Sequence, residues 1–453
     1  MSEGNAQSGK KTEELKTGAL GLLSTTGIGI GGCVGSAIFV FASITIMLTG
    51  PLSIGVWLYA GIATIIIALC GAELAVAFPK AGGIAYYPTE TLGPNRTIRK
   101  FFGFIAGWIY ILNMVNGVAV SCYGAALYLS SMYPILTGQL MSLIFVIACI
   151  TMNVLGVRLT GWINTILTIL LTAALVIFIG WGATKINPAF YQPFVSGYQG
   201  WNGFLPSVMI SWLGYTSWIP IVLAAEEIKN PQKTIPRAIG ISLTLVALIY
   251  VGVMLVCAGV APWTNYTSGL GNTAPLTFAA LKFAEPNAGI ATALVGWGGW
   301  LASITTAIVL MLGGSRVIFA MGRSGAFPPV VSRIHGSFKT PWIALLIMGI
   351  ISVIWVLAPM VMTTLAAFGG IAMGSVLVIT VISLIGLRKY RSEIKPAFRL
   401  PGGYVIPILA LIILLSALVT VQQTAFLIWL GWVVIGIIYF IIRYGTKREL
   451  LQK

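Results

Sequence analysis

Residues 27–39 read Gly27-Ile28-Gly29-Ile30-Gly31-Gly32-Cys33-Val34-Gly35-Ser36-Ala37-Ile38-Phe39, with five glycines in nine positions of an otherwise apolar run. Each glycine costs about 1 kcal/mol against alanine in a helix interior, so a continuous helix is poorly supported here. The run lies within residues 17–72, which hold no Lys, Arg, Asp or Glu and leave room for two membrane crossings of about 20 residues each. A second irregular stretch, Ser211-Trp212-Leu213-Gly214-Tyr215-Thr216-Ser217-Trp218-Ile219-Pro220, ends in a proline that cannot donate its N–H. Unsatisfied backbone is tolerated at membrane depth only where it is buried in protein or lines a cavity. Interruptions at matching places in two halves of a membrane chain point to a transporter's binding site. The alternative, that the glycines merely let helices pack closely, explains the first run better than it explains both.

Outward from these stretches the chain is apolar throughout. Of 453 residues, 58% are hydrophobic and only 8% are charged, against about a quarter charged in a soluble domain. Charge-free intervals at 17–72, 101–157, 159–184, 186–225, 238–281, 286–315, 340–387 and 400–442 accommodate twelve spans, with divisions at Pro51, near Pro134 and Gly138, near Pro359 and near Gln422-Gln423. An even count puts both termini on one side. The charges agree: of the 26 Lys and Arg, all but Lys185 and Lys282 fall on the side of the termini. Short loops rich in Lys and Arg stay cytoplasmic, so the net charge of +16 records orientation in the cell membrane rather than affinity for nucleic acid. All ten acids are glutamates, and His335 is the single histidine. Ser-His-Asp chemistry, paired-carboxylate hydrolysis and His-based metal sites are nearly excluded. The five cysteines sit in apolar stretches without metal-ligand spacing and read as small buried hydrophobes. No enzyme activity, cofactor or metal is expected. A channel would need a polar ring along a continuous path, and none is apparent.

Several motifs, in order, resemble the amino acid–polyamine–organocation (APC) transporters. Gly31 to Phe39 is similar to the family's first-helix signature. Ala72-Glu73-Leu74 and Phe78-Pro79-Lys80-Ala81-Gly82-Gly83 resemble the end of its second helix. Glu226-Glu227-Ile228-Lys229-Asn230-Pro231 through Ile239 resembles its segment after helix six. Arg316 with Gly322 to Pro328 resembles the loop after helix eight, and Leu387 to Arg391 with Pro396 to Gly402 the segment after helix ten. The resemblance implies an all-α membrane protein of twelve helices in a LeuT-like five-plus-five inverted repeat, with helices one and six interrupted and two further helices at the end. The expected divisions are a cytoplasmic tail at 1–16, a first repeat at 17–184, a second at 185–399, helices eleven and twelve at 400–444, and a second cytoplasmic tail at 445–453. Three departures stand out. Ala37 replaces the last glycine of the family's Gly-Ser-Gly, the helix-six Gly-x-Glu reads Ser217-Trp218-Ile219, and the fifth-helix lysine of some proton-coupled members is replaced by Leu170 or Leu171.

A broken helix presents free N–H groups where its second half starts and free C=O groups where its first half ends, attracting anions and cations respectively. Two crossed breaks can therefore hold an α-amino acid without charged side chains. The N–H groups of Ser36, Ala37 and Ile38, beside Gly35 and with the Ser36 hydroxyl, are expected to take the carboxylate. The carbonyls of Cys33, Leu213 and Thr216 are expected to take the ammonium, with Ser217 adjoining. Tyr215 and Trp218 read as aromatic gates or as packing. Asn113 and Asn116 face the cavity or bond another helix. Glu73 reads first as a partner for loop arginines, with a gating or coupling role as the alternative. A proton-driven mechanism normally needs a titratable group near the midplane, and none is visible. The expectation is an amino acid permease in the lipid bilayer, an antiporter or facilitator for a neutral amino acid. The alternatives are a cationic amino acid or polyamine antiporter and a proton-coupled symporter. A homodimer stays open.

Overall fold

The computed structural model describes residues 20–79, 83–133, 138–155, 157–216, 218–225, 228–284, 288–338, 340–358 and 360–446. The tail at 1–16, residues 447–453 of the tail expected at 445–453, Lys80 to Gly82, Pro134, Ser217, Glu226-Glu227 and Pro359 lie outside the described residues. The first irregular stretch forms α1 (Leu22–Cys33) and α2 (Ser36–Thr49), then α3 (Ser53–Ala77) and α4 (Gly83–Thr91) follow. Next come α5 (Arg96–Met132), α6 (Gly138–Leu155) and α7 (Val157–Ala183). The second irregular stretch gives α8 (Phe204–Ser211) and α9 (Trp218–Leu223). The chain continues through α10 (Pro231–Val260), α11 (Gly269–Thr273), α12 (Pro275–Phe283), α13 (Ala288–Arg323), α14 (Trp342–Leu357), α15 (Met362–Tyr390), α16 (Val405–Leu418) and α17 (Gln423–Thr446). Among the described residues, eight segments are long and apolar enough to cross a membrane.

Burial sorts the helices. The most apolar window of α5 is 89% buried and that of α17 only 17%, so α5 is enclosed while α17 is peripheral. α5 and α13 pack together more extensively than any other pair. The peripheral helices expose large apolar side chains, among them Ile350 and Ile354 on α14, Ile412 on α16 and Ile438 and Ile441 on α17. In water such faces would be a liability; in hydrocarbon they are the solvated surface. α17 is nevertheless fixed to α5 by a reciprocal pair. Trp108 Nε1 donates to Trp432 O at 2.9 Å and Trp432 Nε1 to Trp108 O at 3.0 Å, with the rings stacked 4.5 Å apart.

Both irregular stretches break, for different reasons. Between α1 and α2, Val34 (φ −69°, ψ 82°) and Gly35 (φ −149°, ψ −153°) leave the helical region. Between α8 and α9 the chain tightens into a 3₁₀ turn, Trp212–Tyr215. Pro220 does not make this break. It sits in the first turn of α9, where a missing N–H costs nothing. The proline signal therefore marked the right region and the wrong residue. α10 starts at Pro231 with proline in its first turn, ahead of the charge-free interval that begins at 238. α13 continues past residue 315, so Arg316 lies within a helix and not in a loop. The start of α1 is tied down: Lys229 N–H, just before α10, donates to Leu20 O at 2.8 Å. Gly29 lies so close to α10 that a β-carbon there would overlap Ser242 Oγ.

Candidate functional site

The two breaks face one another. A β-carbon on Gly214 would lie 3.3 Å from Ala37 Cβ and 3.1 Å from both the Trp57 and Tyr250 rings. The glycine thus admits the close approach of the 3₁₀ turn to α2. Tyr250, two-thirds of the way along α10 and fully buried, donates its hydroxyl to Cys33 O, the carbonyl that ends α1. The same hydroxyl lies 3.3 Å from Gly214 O. One side chain therefore reaches the backbone of both breaks. Tyr215 Oη donates to Trp57 O at 2.9 Å, and Trp57 Nε1 donates to Thr45 Oγ1 at 3.0 Å. The rings of Trp57, Tyr215 and Tyr250 sit 5.1–6.0 Å apart, centroid to centroid, and hold the 3₁₀ turn against α3 and α10. Tyr215 is thus part of a packed aromatic trio.

At the start of α2, Ser36 N–H donates to Thr306 Oγ1 of α13 at 3.0 Å. Ser36 Oγ and Ser121 Oγ of α5 are 2.9 Å apart. A β-carbon on Gly35 would overlap Thr306 Oγ1, so glycine is what lets this hydroxyl reach the backbone. Ala37 and Ile38 supply the next N–H groups of a first turn that has no intrahelical acceptors. On the carbonyl side, Leu213 O accepts Thr216 Oγ1 at 3.3 Å and Thr216 O accepts Ile219 N–H at 3.1 Å. A carbonyl oxygen has two lone pairs and can accept more than one hydrogen bond. Anion-seeking N–H groups and cation-seeking carbonyls thus adjoin in one buried region.

A family model described as amino acid permease matches residues 20–445. The chain belongs to the amino acid permease family, within the APC superfamily. The branched-chain amino acid permease BcaP of Bacillus subtilis is 29% identical over 99% of this chain and 97% of its own. The methylthioribose transporter of Bacillus subtilis is 29% identical, covering 96% and 95%. The serine/threonine exchanger SteT of the same organism is 26% identical, covering 95% and 97%. This permease is accordingly a multi-pass membrane protein, and its family implies an amino acid as the small-molecule substrate.

Among the other residues singled out in the permease sequence, Asn116 and Trp218 serve packing and Glu73 binds an arginine. Asn116 donates to Leu365 O at 3.0 Å and accepts Trp355 Nε1 at 2.9 Å, tying α5 to α15 and α14. Asn113 is buried, and its Oδ1 has no partner among the described residues. The Trp218 ring fills the space above Gly71, where a β-carbon would overlap it. Glu73 ends far from the breaks. Its Oε1 accepts Arg388 Nε at 2.9 Å, and its Oε2 accepts Arg388 Nη2 and Leu400 N–H, the latter at 2.8 Å. Glu90 and Glu393 pair with Arg391 at 3.8 and 3.6 Å. The described glutamates are therefore all committed to arginines away from the breaks. Three side chains at the breaks escaped sequence reasoning: Ser121, Thr306 and Tyr250. Hydroxyls in helices usually bond back to their own helix, so Ser121 and Thr306 carry no signal. Tyr250 does carry one, because a tyrosine deep in an apolar run needs a partner for its hydroxyl.

Proposed function

We propose that this permease moves an α-amino acid across the cell membrane by alternating access, binding it between the two helix breaks. The carboxylate lies on the first turn of α2 (Ser36, Ala37, Ile38), and the ammonium on the carbonyls around Cys33, Leu213 and Thr216. Hydrogen bonds to charged groups contribute about 1.5–3 kcal/mol each, so two or three such bonds suffice for recognition without an acidic or basic side chain. The observation that carries this reading is the contact of Gly214 with Ala37, which brings the backbone of the second break against the start of α2. In this reading the chain crosses the membrane twelve times, as repeats at 17–184 and 185–399 followed by helices at 400–444. Both termini are cytoplasmic. α1 with α2 forms the first span, and α8 with α9 the sixth.

The substrate is a neutral amino acid, moved by exchange or facilitated transport. The support is electrostatic: the described glutamates are paired away from the breaks, leaving no carboxylate there among the described residues to carry a proton or balance a second positive charge. Relatives of near-equal identity are named for branched-chain amino acids, methylthioribose and serine/threonine, so no single substrate passes to this chain by similarity. The test is counterflow into proteoliposomes loaded with unlabelled substrate, using labelled amino acids, amines and methylthioribose with and without a pH gradient. Counterflow of a neutral amino acid that ignores the gradient is expected. Net uptake driven by pH overturns the coupling, and counterflow of methylthioribose alone overturns the zwitterion site, since that ligand has neither carboxylate nor ammonium.

A further inference from the structure

The N-terminus of α2 is occupied by a side chain from another helix. Thr306 accepts Ser36 N–H at 3.0 Å while donating its own proton to Ala302 O at 2.7 Å. It therefore turns its lone pairs toward α2, an oxygen acceptor set where an anion would be held. Ser121 joins from α5 through Ser36 Oγ.

The seam continues one turn along all three helices. Val40 follows Ser36 on α2, Gly124 follows Ser121 on α5, and Ser303 precedes Thr306 on α13. These meet as well: a β-carbon on Gly124 would lie 2.5 Å from Val40 Cγ2 and 3.4 Å from Ser303 Oγ. Ser303 is fully buried, and its Oγ has no partner among the described residues. A buried hydroxyl without a partner is costly, and a ligand oxygen in this seam removes that cost.

We propose that Thr306 is a built-in stand-in for the substrate carboxylate, filling the α2 amide site in the empty carrier and yielding it to the ligand. This rests on reading the breaks as the carboxylate site. On arrival the carboxylate takes Ser36 N–H, and Thr306 turns its proton from Ala302 O toward it, with Ser121 and Ser303 as further donors. Ser36 is buried here, so water does not satisfy its N–H and Thr306 does. In a carrier open to either side, water can do so. The stand-in therefore acts on the closed form through which an empty carrier must pass to return. An exchange cycle never takes that step, whereas net transport takes it once per turnover. Thr306 thus sets the ratio of net transport to exchange.

The experiment measures both rates in proteoliposomes at saturating amino acid, net uptake into substrate-free vesicles and counterflow into loaded ones, for the unaltered protein, Thr306→Val and Thr306→Ser. Valine keeps the shape and removes the acceptor; serine keeps the acceptor. Both rates fall in Thr306→Val, but the ratio of net uptake to counterflow is expected to fall about tenfold, and in Thr306→Ser to stay within about twofold. If Thr306→Val fails to accumulate, Thr306→Ala supplies the same loss of acceptor and the same expected ratio. A ratio that is unchanged or raised in the variants lacking the hydroxyl overturns the proposal. The unaltered protein's own counterflow separates the two levels. Where it is absent, the transport reading falls and this one with it; where it is present with an unmoved ratio, only this one falls.

Discussion

Glu73 and Arg388 offer the sharpest energetic test. Their side chains are 1% and 3% exposed, and they join the end of α3 to the last turn of α15. Glu73 also accepts Leu400 N–H, while Arg388 donates to Leu400 O at 3.3 Å and to Gly403 O. The pair thus fixes the 400–403 turn as well. Glu73→Gln keeps the shape but leaves a guanidinium buried without its counter-charge; Arg388→Met leaves a buried carboxylate with Leu400 N–H alone. Removing one partner of a buried pair costs about 3–5 kcal/mol, whereas replacing both with uncharged groups of similar volume is often nearly neutral. Each single variant should therefore lose about 3–5 kcal/mol, and the double variant less than either single. That corresponds to a coupling energy of about 3 kcal/mol or more, measured as a double-mutant cycle. Unfolding in mixed micelles, followed by the fluorescence of the chain's 14 tryptophans, gives the energies. A double variant whose loss equals the sum of the singles refutes the clasp. So does a Glu73→Gln protein whose transport shows a shifted pH profile, because that would make Glu73 a proton carrier.

Two further substitutions probe the breaks. Gly35→Leu places a side chain where even a β-carbon overlaps Thr306 Oγ1; counterflow should fall below detection while the protein still reaches the membrane, and unchanged transport refutes a ligand at this break. Tyr250→Phe removes the hydroxyl that reaches Cys33 O and Gly214 O, at a cost of about 1.5 kcal/mol, or roughly tenfold weaker half-saturation. Tighter half-saturation would mean that the hydroxyl competes with the ammonium instead of positioning its acceptors.

Glycine density located the first break because it acts through local backbone preference, which neighbours in the sequence determine. The second break was harder to read. Pro220 is the obvious irregularity, but its place in the first turn of α9 makes it harmless, and the turn depends on Gly214 meeting Ala37 across the fold. Glu73 was legible as an arginine partner, since a carboxylate at a helix end near a cluster of basic residues has few other means of neutralisation. Arg388 as the particular partner was not. Thr306 and Ser121 were invisible for a more basic reason. Their helices cross α2 at distant sequence positions, and nothing within α5 or α13 distinguishes a hydroxyl aimed at a neighbouring backbone from one bonded to its own. Asn116 shows the converse: a polar residue at membrane depth invited a ligand role, yet both ends of its amide bond other helices.

The hydrogen bond from Lys229 to Leu20 O bears on how the molecule can move. It joins the chain entering α1 to the segment leaving α9, and α1 also packs on α9. Swinging α1 away from α10 must break that bond and open the Gly29–Ser242 contact. Any rocking motion that parts these two helices therefore begins at this tether, where α1 starts and α10 is about to.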